Sequence, residues 1–377
     1  MLLKGMHLSL MIGPVVATPV PYEVINALIQ VEVTTNTEGP SAFQLSFNLS
    51  NRSRLHTLFL LSAGTPIPMV RVIVVAIIQG TAEVLIDGVV THHEVAPGTD
   101  ASHSMLKITG EDLTRVMDYI DFSGIPYPAM PREARVAAIL AKYMTIGVVP
   151  MIIPSVLIDV PLPVDKIPSH RGKDLAYLRQ LAAEVGHIFY VEPGPSAGTT
   201  VAYWGPELRM STPQPALSLD MDAHTNVESL TFRYQPEKRV MPYVVIQHEL
   251  TKVPVPIPIP SDLSPLSPPL GAVSGFPQHI EPLLGCAKMT VPQAIMVGMA
   301  AAVRSAEIVT GTGTLDVLRY GRTLKARKLV GVRGAGEAFD GLHYVKSVSH
   351  HIRRGEYKQS FTLVRNGLLS TVSQVPA

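Results

Sequence analysis

The sequence predicts a mainly β protein with an α+β insertion, and three observations carry that expectation. Hydrophobic residues make up 46% of the 377 residues and charged residues only 16%, the balance of an ordered chain long enough for two or three cores. Aromatics are few, at 6%, while 33 prolines and 28 glycines punctuate runs of Val, Ile, Leu, Thr and Ser, which suits many short strands separated by turns. The hydrophobic period also changes along the chain, from that of strands to that of helices and back.

From Leu8 to Ile108 strand follows strand. "ALIQVEVTT" places Ile29, Val31 and Val33 on one face and Gln30, Glu32 and Thr34 on the other. "SAFQLSFNLS" alternates in the same way, with Phe43, Leu45, Phe47 and Leu49 inward. "RVIVVAIIQG", "EVLIDGVVTHHEV" and "SMLKITG" follow, and at least five strands in about a hundred residues imply a barrel or a sandwich. The N-terminal run has the Lys4 and apolar stretch of a signal peptide. His7 and Pro14 interrupt it and no A-x-A site follows, so it reads as a first strand ending at Gly13–Pro14. "PIPMVRVIVVAIIQG" is too short to span a membrane and carries Arg71, so it reads as a buried strand.

The middle third has the helical period. After the start signal Thr109 to Asp112 comes a short helix, "DLTRVMDYI". "PREARVAAILAKYMTIG" begins at Pro131, puts Val136, Ile139, Leu140 and Tyr143 on one face, and ends at Gly147. "KDLAYLRQLAAEVG" repeats the layout with Leu175, Leu178, Leu181 and Val185 inward and Gly186 as the stop, and "HIFYVE" and "TTVAYWG" read as a hairpin packed on it. "SLDMDAHTNVESLTFRYQ" and "PYVVIQHEL" return to strands. Ten prolines between Pro254 and Pro292, including "VPVPIPIP", then predict an extended or polyproline II segment running over a surface. Thr290 and Gln293 have capping-box spacing at the head of a last helix, and short strands resume from Ile308.

Chemistry-bearing motifs are incomplete. "HELTK" has Lys252 where a zinc protease needs its second His. "DMDAHTN" has Thr225 at the glycine position of a calcium loop and Thr231 where a bidentate Glu belongs. His92 and His93 alternate along a strand, so they face opposite sides and cannot chelate together, and the same holds for His350 and His351. "GTGTLDVLRYG" and "RGAGEAFDG" fit neither a dinucleotide fingerprint nor a P-loop. The acid pairs Glu111–Asp112 and Asp220–Asp222 have structural explanations, and the Asn-x-Ser sites at Asn48 and Asn51 are incidental. Cys286 is the sole cysteine, so no disulfide forms within the sequence, which fits a reducing cytoplasm. We therefore expect no catalytic residue, no cofactor and no metal.

Charge is distributed unevenly. The net charge of +1 gives no global attraction to DNA or an anionic membrane. Yet eleven Lys and Arg lie between Arg319 and Arg365 against Glu337, Asp340 and Glu356. Stacking aromatics are sparse there, so specific nucleic-acid recognition is not expected. The stretch Gly341 to Gly367 reads as a hairpin: Leu342, Tyr344, Val348 and Ile352 alternate on one strand, residues 353–356 turn, and Tyr357, Phe361 and Leu363 return. Lys346, Arg353, Arg354, Lys358 and Arg365 on this hairpin are candidates for a subunit-facing or channel-facing side.

The order of "IGPVVATPVPYEVINALIQVEV", "SAFQLSFNLS", "EVLIDGVVTHHEV", "KITGEDLTRVMD", "DLAYLRQLAAEVGHIFYVE", "HTNVESLTFRY" and "FDGLHYVKSVSHHIRRGEYKQSFTLVRNG" over nearly the whole chain resembles the phage late-control protein D family. These are baseplate hubs of contractile tails, similar to the hub-like half of VgrG. The resemblance implies a structural, non-enzymatic virion component: a homotrimer whose chains each supply two tube-type antiparallel β-barrel domains. The resulting pseudo-sixfold ring is a tail-tube adaptor that joins the tube to a central spike. It implies a first barrel at 1–110, an α/β domain at 111–216, a discontinuous second barrel at 217–250 and 308–367, a proline-rich segment and helix at 251–307, and a tail at 368–377. Implied partners are a separate spike protein, the tail tube protein and other baseplate components, with no insertion into a membrane. Assembly would take place in the bacterial cytoplasm, before incorporation into a virion or phage-tail-like particle. Two rival readings remain, a cell-wall-degrading tail enzyme, which needs a carboxylate pair in a cleft, and a secreted β-rich binding module.

Overall fold

Alternating apolar and polar residues make the N-terminal strands, and pairing buries one face of each. In this computed structural model the described residues are 2–3, 6–49, 69–96, 104–156, 160–161, 164, 167–247, 254–260, 264, 266–286, 289–373 and 375. "HELTK", Asn51 and Pro265 of the proline segment lie outside them. The first elements are β1 (Leu2–Leu3), β2 (Met6–Gly13), β3 (Thr18–Pro19), α1 (Tyr22–Ala27), β4 (Leu28–Asn36), β5 (Ala42–Asn48), β6 (Arg71–Ile78), β7 (Thr81–Ala96) and β8 (Met105–Asp112). They pair antiparallel in the order β2-β6-β7-β8-β5-β4. Val31, Val33, Leu45, Phe47 and Ile108 are 0% exposed on the inward face. Ile29, expected with them, is 40% exposed, because a bulge between Leu28 and Gln30 gives β4 an extra residue and turns it outward.

The α/β portion comprises α2 (Arg132–Ala141), β9 (Val148–Ile152), α3 (Asp174–Ala183), β10 (His187–Pro193) and β11 (Thr200–Pro206). β10 pairs antiparallel with β11, and β9 adds in parallel on the other edge. Val136, Ile139, Leu140, Leu178 and Leu181 pack with Trp204 in one core. The stretch after Asp112 is a 3-10 turn, Leu113–Asp118, capped by the Asp112 carboxylate, which accepts from Thr114 N at 3.0 Å and from Ser41 N at 2.5 Å. α2 stops short of Gly147, and a separate 3-10 turn, Met144–Ile146, ends there with φ +87°.

The chain continues through β12 (Gln214–Ser218), β13 (Val227–Tyr234), β14 (Val240–Gln247), β15 (Pro254–Pro258), β16 (Gly271–Val273), β17 (His279–Pro282) and α4 (Val291–Ser305). It ends with β18 (Val309–Asp316), α5 (Val317–Tyr320), β19 (Leu329–Arg333), β20 (Gly341–Arg353), β21 (Glu356–Arg365) and β22 (Leu368–Ser370). β14 was expected inside the second barrel. It instead forms a separate sheet in the order β15-β14-β17, because Val244 packs with Ile259 under Ala294 and Ala302 of α4. Gly298 permits that approach, since a Cβ there would lie 2.0 Å from Ile259 Cδ1. The proline segment is extended as expected, and β15 is an edge strand. Ile259 N donates to Pro242 O at 2.9 Å, while Pro254, Pro256 and Pro258 have no N–H to offer a further strand.

The two β units repeat one topology. The order β12-β19-β20-β21-β18-β13 matches β2-β6-β7-β8-β5-β4 position for position, and the chain visits the positions in the same sequence. Two of their irregularities coincide as well. Each second strand bulges, at Leu28/Gln30 and Val227/Ser229, and each fifth strand bulges, at Val90/His92 and Val345/Ser347. One pairing differs, β2–β6 being antiparallel and β12–β19 parallel. β4 also pairs antiparallel with β20, so both units belong to one 14-stranded sheet and share one hydrophobic cluster.

Candidate functional site

The side of this sheet turned away from the core is a ladder of small polar residues. Cross-strand partners share a face, and the register aligns Thr34, Ser349, Ser360, Thr314 and Ser229 in one row. Asn36, Ser347, Thr362, Thr312 and Thr231 form the next row. Hydroxyls meet directly in the first: Thr34 Oγ1 and Ser349 Oγ lie 2.9 Å apart across the junction of the units, and Ser229 Oγ and Thr314 Oγ1 lie 2.8 Å apart. Toward the hairpin tip the rows become charged but balanced. His351 lies 3.5 Å from Glu32 and 3.2 Å from Ser360 Oγ, and Lys358 contacts Glu228 and Glu356 at 3.0 Å each. Those two carboxylates raise the Lys358 ammonium pKa.

The five basic residues singled out in the sequence part company here. Arg353 Nε donates to Gln30 Oε1 at 3.1 Å and Arg354 donates to Asn26 O, so both fasten the hairpin tip to the first unit of the same chain. Lys346 is the bulge residue of β20 and bridges Glu38 at 2.7 Å and Glu307 at 2.8 Å. Burial lowers its pKa, but the hydrogen bonds to Glu307 and Glu38 outweigh that and leave it raised. Arg365 faces no surface: it is 0% exposed, and donates to Gly367 O at 2.7 Å, Asp340 O at 2.8 Å and Ala338 O. Burial lowers its pKa to about 10. Within the basic stretch 319–365, Lys325, Lys346 and Lys358 are met by acids from elsewhere in the chain, Glu83, Glu38, Glu307 and Glu228.

His350 and His351 point to opposite faces, as alternation requires. His350 is 6% exposed, shares a 2.7 Å hydrogen bond between Nδ1 and Tyr357 OH, and has its pKa lowered to about 3, chiefly by burial. His92 and His93 likewise pair with Thr109 and Ile108 on opposite faces. Among the described residues no group of three His, Cys, Asp or Glu is placed to hold a metal ion, and no helix is long and apolar enough to cross a membrane. Of the acid pairs, Asp112 is buried in its capping role, and Asp220 and Asp222 lie exposed at φ +47° and +49°. Sequence reading did not find the polar rows, because they join strands more than 300 residues apart, as Thr34 and Ser349 are.

No protein-family model matches the sequence, and no curated protein matches it. Solved structures do. A tail protein from Neisseria meningitidis aligns with TM-score 0.62 at 14% identity, covering 97% of this chain and 98% of that one. The 43 kDa tail protein of prophage MuSo2 from Shewanella oneidensis aligns with TM-score 0.61 at 16% identity, covering 96% and 98%. A chain of the Francisella PdpA-VgrG complex aligns with TM-score 0.61 at 9% identity over all of this chain and 60% of its own length. The chain is a β-rich protein with the fold of these phage tail and VgrG-complex proteins.

Proposed function

We propose that this chain is the structural hub of a phage tail or phage-tail-like contractile injection apparatus. Three copies form a pseudo-sixfold ring that joins the tail tube to a separate central spike. The observation that carries the reading is the duplicated six-strand unit within one sheet. Three chains then supply six like units, which is what an adaptor between a sixfold tube and a threefold spike requires. The rows of Ser and Thr, with charges balanced in place, suit a hydrophilic channel wall that passes a polymer without holding it. Arg353 and Lys358 would border that channel, with Arg354 at the hairpin tip and Lys346 at the mid-strand bulge. The role is structural: Asp112 is spent on a helix cap, and the tail-protein fold supports an assembly function. Light scattering on the purified chain, alone and with its tube and spike proteins, tests the proposal. The expected mass is three times that of the chain, with co-elution of the spike. A strict monomer that joins neither protein refutes it, and cell-wall hydrolysis lost in Glu111→Gln would favour the enzyme reading.

A further inference from the structure

Among the described residues one strand pairing joins the two units, beside the hydrophobic cluster they share. β4, second in its unit, lies along the distal half of β20, fifth in its unit, with Thr34 opposite Ser349 and Val33 opposite His350. The equivalent halves of that contact have no strand partner among the described residues. β13, second strand of the second unit, has β18 on one edge and, among the described residues, no strand on the other. β7, fifth strand of the first unit, carries β6 to Val89, and Val90 N donates to Val70 O at 2.9 Å. Beyond that point His92 to Ala96 have β8 on one edge and no described strand on the other. β20 has the same bond at the same place, Val345 N to Lys328 O at 2.9 Å, and β4 begins just past it.

Exposure follows the missing neighbour. Val348 and His350, under β4, are 1% and 6% exposed. Aligning the two bulges makes His93 and Val95 their counterparts. These face the same side, opposite the core residues Ile108 and Leu106, yet His93 is exposed and Val95 is 48% exposed. An inward-facing valine half in water marks a packing site without its partner.

The register of the internal contact can be carried to the open one. Bulge alignment makes Thr34 equivalent to Arg233 and Ser349 equivalent to Glu94. Arg233 then falls opposite Glu94, Phe232 opposite Val95, and Tyr234 opposite His93. Backbone register alone thus brings an exposed cation to an exposed anion and an aromatic ring to the uncovered valine.

We infer that a second copy of this chain adds its β13 antiparallel to His92–Ala96 of β7, with Arg233 paired to Glu94 and Phe232 covering Val95. The inference rests on the ring reading, since each chain offers one half-contact at either end and the head-to-tail series must close. The test is a chain carrying Glu94→Cys and Arg233→Cys in a Cys286→Ala background, oxidised and run on a denaturing gel. The paired variant is expected to give covalent dimers and trimers, and each single-cysteine variant only single chains. Separately, Arg233→Glu should weaken self-association by about 100-fold, and adding Glu94→Arg should restore it. Both side chains are exposed in the single chain, so neither change threatens folding. A trimer by light scattering that yields no cross-linked species overturns the strand pairing and leaves the ring standing. A chain that stays monomeric at every concentration overturns both.

Discussion

Asp87→Ala should be among the most damaging single changes in the first unit. Arg71 and Asp87 form a two-pronged pair, Nε to Oδ1 at 2.7 Å and Nη2 to Oδ2 at 2.6 Å, with 5% and 0% of their side chains exposed. The same guanidinium donates to Val15 O at 3.3 Å and Gly198 O at 3.1 Å, and Thr200 Oγ1 donates to Asp87 Oδ2 at 3.1 Å. The pair therefore ties β6 and β7 to the start of β11. Removing the carboxylate leaves a buried cation with two carbonyls and no counter-charge, a loss of about 3–5 kcal/mol. Urea unfolding followed by Trp204 reads this directly, because the single tryptophan is 0% exposed and shares β11 with Thr200. The midpoint should fall by about 1 M or more. Arg71→Met with Asp87→Leu should recover most of the loss, since exchanging a buried pair for apolar groups is close to neutral. A loss under about 1 kcal/mol for Asp87→Ala, or a double variant as weak as the single, would refute the reasoning.

Two further outcomes follow from buried groups. Burial lowers the His343 and His350 pKa values to about 3, with the Arg365 charge adding to it at His343 and His351 at His350. Both therefore stay neutral in the fold while the unfolded chain takes up protons below about 6.5, so stability is complete above that pH and falls as pH drops toward 3. From pH 7.5 to 5.5 the two should cost about 3 kcal/mol together, measured as the urea midpoint; an undiminished drop in His343→Leu/His350→Leu would contradict it. Gly147→Ala forces an L residue to φ +87° with its Cβ 2.1 Å from the Gly198 carbonyl oxygen, and should cost about 2 kcal/mol or more, whereas Gly39→Ala, with open space around it, should change stability by less than about 0.5 kcal/mol. Equal thermal shifts for the two variants would rule out that steric account.

Alternation made the first unit legible, and it misled only where backbone irregularity is silent in sequence. Nothing in "ALIQVEVTT" announces the bulge that turns Ile29 outward. Arg365 was legible in principle, because it has the parity of Tyr357, Phe361 and Leu363 on β21 and so belongs to the buried side. Its charge argued for a surface, but three backbone carbonyls hold it inside. For β14 the apolar run "PYVVIQ" revealed a strand but not its sheet, since period two carries no information about partners. The repeat was hidden for a different reason. Where the first unit sets Phe43 against Gly110, the second sets Gly311 against Leu363; where it sets Leu45 against Ile108, the second sets Gly313 against Phe361. Bulk changes sides in the first pair and gathers on one strand in the second, so aligned residues look unrelated while the pairing is preserved.

The strand ends of the large sheet are covered selectively. The outer edge of β2 is covered by β1 at Met6 and His7, by β3 at Met11 and Ile12, and by the Val20 N to Leu10 O bond at 3.0 Å. β12 is finished by a side chain: Asn226 Oδ1 accepts from Ser218 N at 2.8 Å and its Nδ2 donates to Ala216 O at 2.9 Å, as a neighbouring strand would. Capping of this kind suppresses indiscriminate pairing. It is absent, among the described residues, from β13 and from His92–Ala96, the two stretches that the internal β4–β20 contact makes complementary. Leaving uncapped two edges that complement each other makes the Arg233–Glu94 exchange a sharper probe of the proposed assembly than any change to the basic hairpin.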